Sequence, residues 1–120
     1  MTSSNQPQRG EVWLVNFDPT LGTEIRKIRP AVVISSNEIG VLPIKLVAPI
    51  TDWKDRYSRN LWHVRLDPNV DNGLSKSSSV DTLQLRGVDT QRFIKKLGIL
   101  SPDEIASITV SIVTVIEAEI

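Results

Sequence analysis

The sequence predicts a mainly β protein, in which five or six short strands close into a small bent barrel or half-barrel and one helix follows. Two observations favour this class. Short runs of β-branched and aromatic residues are separated by turn residues, and a helix-start signal follows them at Ser101. The chain has 120 residues, of which 40% are hydrophobic and 23% charged, as is typical of a soluble protein with one hydrophobic core. We therefore expect a single domain over residues 9–120 and a polar, disordered tail over residues 1–8.

Turn residues divide the first part of the chain into strands. Glu11–Phe17 forms the first predicted strand and ends at Asp18-Pro19. Arg29-Pro30 opens the second, Ala31–Ser35, because proline lacks an N–H donor and belongs at the first residues of a strand. The remaining elements are predicted as strands at Ile44–Ile50, Leu61–Leu66 and Ser78–Leu85, a helical turn at Asp89–Phe93, and a short last strand at Ile94–Leu100.

The C-terminal helix is predicted from its start signal. Ser101 can cap the helix, Pro102 suits its first position, and Glu104 completes a capping box. The β-branched run that follows favours a strand by propensity, but the cap and the apolar periodicity favour a helix. The apolar positions on one helical face are Ile105, Ile108, Ile112 and Val115 or Ile116.

Composition excludes several classes of protein. The chain has no cysteine, which excludes a disulfide framework, thiolate catalysis and a cysteine metal site. The apolar runs are much shorter than the roughly 20 residues of a membrane span, and the polar N-terminus does not resemble a signal peptide, so we expect a cytoplasmic protein without membrane contact. Net charge is zero, although residues 1–65 hold nine basic against six acidic residues. This excess is compatible with a basic face that binds a phosphate backbone, and equally with a random distribution of charge.

The residues available for catalysis are few. The single histidine, His63, lies within a predicted strand, so a His-rich metal site is excluded by count. The acidic pairs lie in predicted loops without a metal motif, and no phosphate-binding glycine motif occurs. Arginine, hydroxyl groups and His63 remain. Such a set can cleave RNA, whose 2′-OH is an internal nucleophile, if the enzyme aligns the attack and neutralises charge on the phosphorane. DNA lacks that nucleophile.

One segment carries a dense set of motifs in a fixed order. They are Arg9-Gly10-Glu11-Val12, Asp18-Pro19, Gly22-Thr23-Glu24 and Arg29-Pro30, followed downstream by Thr51 at a strand end and by Gln84-Leu85-Arg86. This pattern closely resembles the MazF/PemK family of toxin ribonucleases, over roughly Arg9–Ile116. The resemblance implies an SH3-like barrel of five to seven strands with a C-terminal helix, and a homodimer. It also implies sequence-specific cleavage of single-stranded RNA, leaving a 2′,3′-cyclic phosphate and a 5′-OH.

The same resemblance implies partners and site residues. An antitoxin protein is expected to cover the RNA groove, with DNA binding as a property of that complex, and no metal or cofactor is expected. Arg29 matches the catalytic arginine of the family and Thr51 its catalytic threonine. Because arginine keeps its proton at neutral pH, we assign Arg29 to phosphorane stabilisation first and to proton donation second. His63 is a candidate for base catalysis or contact with RNA or antitoxin, although a strand histidine is more often structural.

Further positions are candidates for RNA recognition. The loop Thr20–Lys27 is expected to border the groove, and Trp53 either stacks on a base or, as we favour, packs against the fourth strand. Some PemK-type members use an arginine and an aspartate where this chain has Asp81 and Leu83, so that arrangement does not transfer. The RNA-binding candidates are Thr20, Thr23, Glu24, Arg26, Lys27, Gln84 and Arg86, of which Gln84 and Arg86 either contact bases or brace the loop.

Two other hypotheses about function are compatible with the sequence. A CcdB-like toxin, similar in fold, binds DNA gyrase and cleaves nothing, and the pairing of Arg29 with Thr51 argues against it. A catalytically weak module that only binds RNA or antitoxin predicts binding without turnover. We also expect the apolar helix and the sheet edges to supply a two-fold symmetric dimer interface.

Overall fold

A computed structural model describes residues 6–119, and in it the strands form one strongly bent sheet. The order along the main path is β4-β5-β3-β2-β1-β7, with β6 paired to β3, and every pairing is antiparallel. This arrangement agrees with the predicted mainly β, barrel-like class. The strands are β1 Glu11–Asn16, β2 Ile28–Val33, β3 Ile44–Asp52, β4 His63–Leu66, β5 Ser78–Asp81, β6 Arg86–Asp89 and β7 Phe93–Ile99, and the helix α1 is Pro102–Val115.

The predicted fifth strand, Ser78–Leu85, is wrong in its second half. β5 ends at Asp81, the chain makes a 3₁₀ turn over Thr82–Gln84, and a separate strand, β6, begins at Arg86. If the β5 pairing continued, Val47 of β3 would face Leu83; it faces Arg86 instead, three residues further on. The turn takes up those residues.

Two residues account for this break. The Asp81 carboxylate caps the turn by accepting a hydrogen bond from the Leu83 N–H at 3.1 Å. On the facing strand, Pro49 has no N–H to donate. The Trp53 backbone N–H donates to the Ser77 carbonyl, on the edge of β3 that faces β5. Backbone groups of an antiparallel strand point to alternate edges from one residue to the next, so position 49 faces that same edge. The ladder therefore lacks a donor near the point where pairing stops.

The two faces of the sheet bury different clusters. One face packs under α1, with Val12, Val32, Ile50, Val80 and Ile108 at its centre, all between 0% and 2% exposed. The opposite face of β1–β3 and β6 buries a second cluster around Phe17 and Val47. Strand alternation assigns successive residues to different clusters, so Ile50 and Thr51 point in opposite directions.

The helix is as predicted. The Ser101 side chain accepts a hydrogen bond from the Glu104 N–H at 3.1 Å, and Glu104 accepts one from the Ser101 N–H at 2.8 Å. Ile105, Ile108 and Ile112 pack on the core, whereas Ile116 lies past the helix end and is 64% exposed. The capping box and the apolar stripe thus outweigh the strand propensity of the β-branched run.

The N-terminal part of the predicted tail lies outside the described residues. Within the described part of that tail, Pro7 is buried and the Gln8 N–H donates to Glu11 Oε1 at 2.8 Å. Packing therefore begins two residues before Arg9. The predicted turn near residue 90 is a 3₁₀ turn, Thr90–Arg92. None of the helices in residues 6–119 has the length and apolar character needed to cross a membrane.

Candidate functional site

Arg29 and Thr51 line one surface cleft of about 200 Å³. Both side chains are partly buried, and the Arg29 Nε–H donates to the Arg26 carbonyl at 3.4 Å. The cleft therefore places a guanidinium, with several N–H donors, and a hydroxyl on the same small surface, open to solvent. The sequence predicted this proximity, and both residues line the same cleft.

The register of the sheet explains why they meet. β2 and β3 pair with Ala31 opposite Pro49. Continuing that register by two residues toward the end of the pair brings Arg29 opposite Thr51, on the same face. Arg29 is at the same time fixed from the other side, because it pairs with Val15 of β1. The position of each residue is thus set by a regular strand rather than by a loop.

The rest of the cleft comes from the loop before β5. Lys76 Nζ forms a salt bridge with Asp52 Oδ2 at 3.1 Å, between side chains 65% and 58% exposed. Gly73 adopts a φ of +71°, and a Cβ there would lie 2.1 Å from the Leu97 carbonyl oxygen, so only glycine allows the loop to approach β7 this closely. Ser78 completes the lining. The cleft carries two basic groups and one carboxylate, and the carboxylate is paired.

His63 is not among the cleft residues, but it is held firmly beside them. Its Nδ1 lies 2.8 Å from Ser79 Oγ, and its ring stacks on Tyr57 at 3.7 Å with an interplanar angle of 8°. Burial lowers the pKa of His63, Asp81 acts in the opposite direction, and Arg56 lowers the pKa further, leaving it below its ordinary value. His63 thus has polar and stacking partners that the sequence did not reveal.

Trp53 packs within the protein, as predicted. The guanidinium of Arg65, on β4, lies 5.3 Å from the centre of the Trp53 ring, and the Tyr57 ring meets it edge-on at 6.0 Å. The Arg65 guanidinium occupies ring surface that a stacked base would need. The contacts of Trp53 therefore match packing against the fourth strand.

A second cleft, of about 460 Å³, lies between the β1–β2 loop and the Thr82–Gln84 turn. Thr23, Glu24, Gln84 and Arg86 line it, over a floor that includes Phe17. The Gln84 side chain accepts from the Ile25 N–H and donates to the Thr23 carbonyl at 3.3 Å and to Asp81 at 3.4 Å. Gln84 was expected either to contact bases or to brace the loop, and these contacts agree with a bracing role.

Arginines fix the other end of the same loop. Arg86 donates to the Phe17 carbonyl at 3.5 Å, and its guanidinium lies 5.6 Å from the centre of the Phe17 ring. Arg92, which the sequence reasoning did not single out, donates to the Asn16 carbonyl at 3.1 Å and to the Asp18 carbonyl. Three other candidates lie on the same loop: Arg26 and Lys27 are exposed and Thr20 is partly buried.

The positions of Asp81 and Leu83 differ from one another in burial. Asp81 is 7% exposed and is engaged with the Leu83 N–H and with Gln84. The Leu83 side chain is 60% exposed. Within residues 6–119, no group of three or more His, Asp or Glu side chains is placed to hold a metal ion.

The sequence reasoning missed the contribution of the segment from Gly73 to Ser79. It was divided between a predicted loop and the fifth strand, and nothing in it matched a motif. One signal was present: two small polar residues, Ser78 and Ser79, begin a strand that is otherwise expected to be apolar on one face. Both are buried, so their hydroxyls need partners inside the protein.

Comparison with known proteins gives consistent matches over almost the whole chain. A sequence model of the PemK-like, MazF-like toxins of type II toxin–antitoxin systems matches residues 8–116. The chain is 29% identical over 107 residues to endoribonuclease MazF9 of Mycobacterium tuberculosis, covering 84% of this chain and 88% of that protein. It is 31% identical over 103 residues to endoribonuclease MazF of Staphylococcus epidermidis, covering 84% and 83%.

Solved structures show the same fold. MazF from Deinococcus radiodurans superposes with a TM-score of 0.76 at 23% identity, covering 93% of this chain and 97% of that one. An endoribonuclease from a mycobacterial species, solved in complex with its cognate antitoxin, gives a TM-score of 0.74 at 16% identity, covering 95% and 98%.

Proposed function

Because this chain belongs to the PemK-like, MazF-like family of toxins of type II toxin–antitoxin systems, we propose that it is an endoribonuclease that cleaves single-stranded RNA without a metal ion. The observation that carries the proposal is the shared cleft of Arg29 and Thr51. Relatives at 29% and 31% identity bear the name endoribonuclease, which supports the activity.

The reaction proposed is attack by the RNA 2′-OH on the adjacent phosphorus. The 2′-oxygen–phosphorus bond forms and the phosphorus–5′-oxygen bond breaks. The 2′-OH passes its proton to water, because no side chain is assigned as the base, and the 5′-oxygen gains a proton from Arg29 or from water. Arg29 presents planar N–H donors to the phosphorane oxygens, where negative charge grows. Its second proposed role is to donate the proton to the 5′-oxygen. Thr51 donates a hydrogen bond to a phosphate oxygen or orients the 2′-OH.

RNA recognition is proposed for the loop between β1 and β2. Arg26 and Lys27 are exposed there and suit phosphate contacts, and Thr20, Thr23 and Glu24 lie along the same loop. Gln84 and Arg86 are proposed to hold the loop edge of the larger cleft in shape, and Arg86 keeps further donors for a base. Sequence specificity then depends on how this loop faces the cleavage cleft.

Partners follow from the family. We propose a homodimer in the cytoplasm, inhibited by an antitoxin protein that covers the RNA groove, with DNA binding confined to the toxin–antitoxin complex. Exposed apolar residues on and after α1 support a protein interface, since Val110 is 65% and Ile116 64% exposed. Sedimentation of the purified chain measures the oligomeric state.

The test is to map the cut sites of the purified chain on a long RNA in the presence of EDTA and to identify the new ends. We expect cleavage at a short recurring sequence, with 2′,3′-cyclic phosphate and 5′-OH ends. A matched substrate with a single 2′-deoxynucleotide at a mapped site should resist cleavage there and be cut elsewhere. An intact RNA, or cleavage that stops on adding EDTA, contradicts the proposal; inhibition of DNA gyrase without RNA cleavage indicates the CcdB-like alternative.

A further inference from the structure

A polar pair lies on the strand next to Thr51. Ser79 is fully buried, and its Oγ lies 2.8 Å from Nδ1 of the partly buried His63. The parallel ring of Tyr57 stacks on a face of the imidazole at 3.7 Å. The buried Ser79 hydroxyl thus has the imidazole as a polar partner, which a hydroxyl inside a protein requires.

The register places this pair beside the cleavage cleft. Ser79 of β5 is directly opposite Thr51 of β3, and directly opposite Arg65 of β4 on its other side. His63 lies two residues before Arg65, so Thr51, Ser79 and His63 share one face of three adjacent strands. Opposed residues have Cβ atoms about 4.5–5.5 Å apart, so the Thr51 and Ser79 side chains are neighbours. Their hydroxyls form no hydrogen bond with each other in residues 6–119, so a side-chain rotation has to bring them together.

We propose that Ser79 and His63 are positioning residues that set the direction in which the Thr51 hydroxyl donates its proton. This inference rests on the role proposed for Thr51 above. Neither residue lines the cleft that holds Arg29 and Thr51, so both act through Thr51 and not on the RNA itself.

The argument follows from counting donors. A serine hydroxyl has one proton to donate. When His63 Nδ1 carries a proton and donates it to Ser79, the Ser79 proton is available to Thr51 Oγ1, and the Thr51 proton is left for a phosphate oxygen. When Nδ1 is unprotonated it accepts the Ser79 proton, and Ser79 then competes with the phosphate for the Thr51 proton. Imidazolium has a donor on each nitrogen, so it permits only the first arrangement.

The cleavage rate should therefore depend on the protonation of His63. The charged and titratable side chains around its ring are Asp81 on β5, Arg56 and Tyr57 on the Asp55–Arg59 turn, and Arg65 on β4. Burial and Arg56 lower the pKa of His63 against the effect of Asp81. The orienting effect is thus complete below this lowered pKa and weakens as pH rises through it, because the neutral ring can carry its single proton on either nitrogen.

The experiment measures single-turnover cleavage of a short RNA, with protein in excess, from pH 5 to 8. Ser79→Ala should lower the rate constant about 3- to 10-fold, the value of one hydrogen bond, with little change in KM. His63→Asn keeps a hydrogen-bonding amide near the Nδ1 position but does not titrate. The rate constant of the wild type divided by that of His63→Asn should therefore fall as pH rises. When both proteins also carry Ser79→Ala, this ratio should not change with pH.

Controls separate positioning from stability. Ser111→Ala removes another buried hydroxyl, one that donates to the Leu61 carbonyl at 2.7 Å on the helix side, and should lower stability without changing the pH profile. In a Thr51→Ala background, Ser79→Ala should cause no further loss. If Ser79→Ala fails to fold, the His63→Asn ratio alone decides. A Ser79→Ala rate equal to wild type, or a ratio independent of pH, overturns the inference. Thr51→Ala cleaving like wild type overturns the role proposed for Thr51, whereas a wild-type chain that leaves the RNA intact overturns the proposed function itself.

Discussion

Two neighbouring residues of β3 illustrate how this small sheet divides its work. Ile50 is 2% exposed and packs with Val80 under α1, whereas Thr51, the next residue, lines the cleft with Arg29. Both are held by the same pair of strands, since Ile50 is opposite Val80 and Thr51 opposite Ser79. The comparison teaches that, at this end of β3, strand alternation separates the residue that packs under α1 from the residue that lines the cleft.

This division makes the two faces dependent on one register. A shift of the β3–β5 pairing by one residue would move Ile50 to the cleft and Thr51 into the core. The core therefore does more than stabilise the protein, because burying Ile50 and Val80 fixes the register that sets Thr51 opposite Ser79. Substitutions at Ile50 and at the cleft residues should accordingly have separable effects, on stability for the first and on the proposed catalysis for the second.

The largest effect is expected on the chemical face. Arg29→Ala removes the phosphorane donors and should lower the single-turnover cleavage rate about 10³-fold, with the thermal midpoint almost unchanged because the side chain is only partly buried. Arg29→Lys, which keeps the charge and loses the planar fork, should give an intermediate rate. Arg59→Ala, at an exposed arginine of the Asp55–Arg59 turn, is the matched control and should cleave normally. An active Arg29→Ala enzyme would remove Arg29 from the mechanism.

The next effect is expected on the stabilising face. Ile50→Ala leaves a cavity under α1 and should lower the free energy of unfolding by about 3 kcal/mol, measured by urea denaturation at fixed protein concentration. Thr51→Val removes the hydroxyl and should impair cleavage, but it should change the free energy of unfolding by less than about 1 kcal/mol because Thr51 is partly exposed. If the two substitutions affected stability equally, the division between the faces would not hold.

The sequence predicted the helix and its apolar stripe, which follow a periodic pattern, better than the cleft, whose residues are brought together by the register between strands. The capping box at Ser101 and the stripe at Ile105, Ile108 and Ile112 suffice to predict α1, since they act within one element. Arg29 and Thr51 were found through family motifs, and their meeting depends on pairings between residues far apart in sequence. Ser79 belonged to no motif, and only its position opposite Thr51 draws attention to it.

The error in the fifth strand has a similar origin. Residues 78–85 contain enough strand formers to favour one continuous strand. The break depends on Pro49, which lies on another strand, and on the Asp81 cap, whose carboxylate satisfies the Leu83 N–H. The three residues inserted there, Thr82–Gln84, carry the side chain that braces the β1–β2 loop. A local departure from the strand pattern thus shapes the loop that is proposed to bind RNA.

That brace gives the smallest of these effects and tests whether the loop forms a third, separable region. Gln84→Ala removes the acceptor for the Ile25 N–H and the donor to the Thr23 carbonyl, so the β1–β2 loop should become less ordered. Because the loop is proposed to bind RNA and not to carry the chemistry, KM should rise about 10-fold, equivalent to about 1.4 kcal/mol, with the single-turnover rate at saturation unchanged. Gln91→Ala, at an exposed glutamine of the Thr90–Arg92 turn, is the matched control. A fall in the saturated rate with KM unchanged would mean that the loop acts at the scissile phosphate, and that binding and chemistry are not divided between the two clefts.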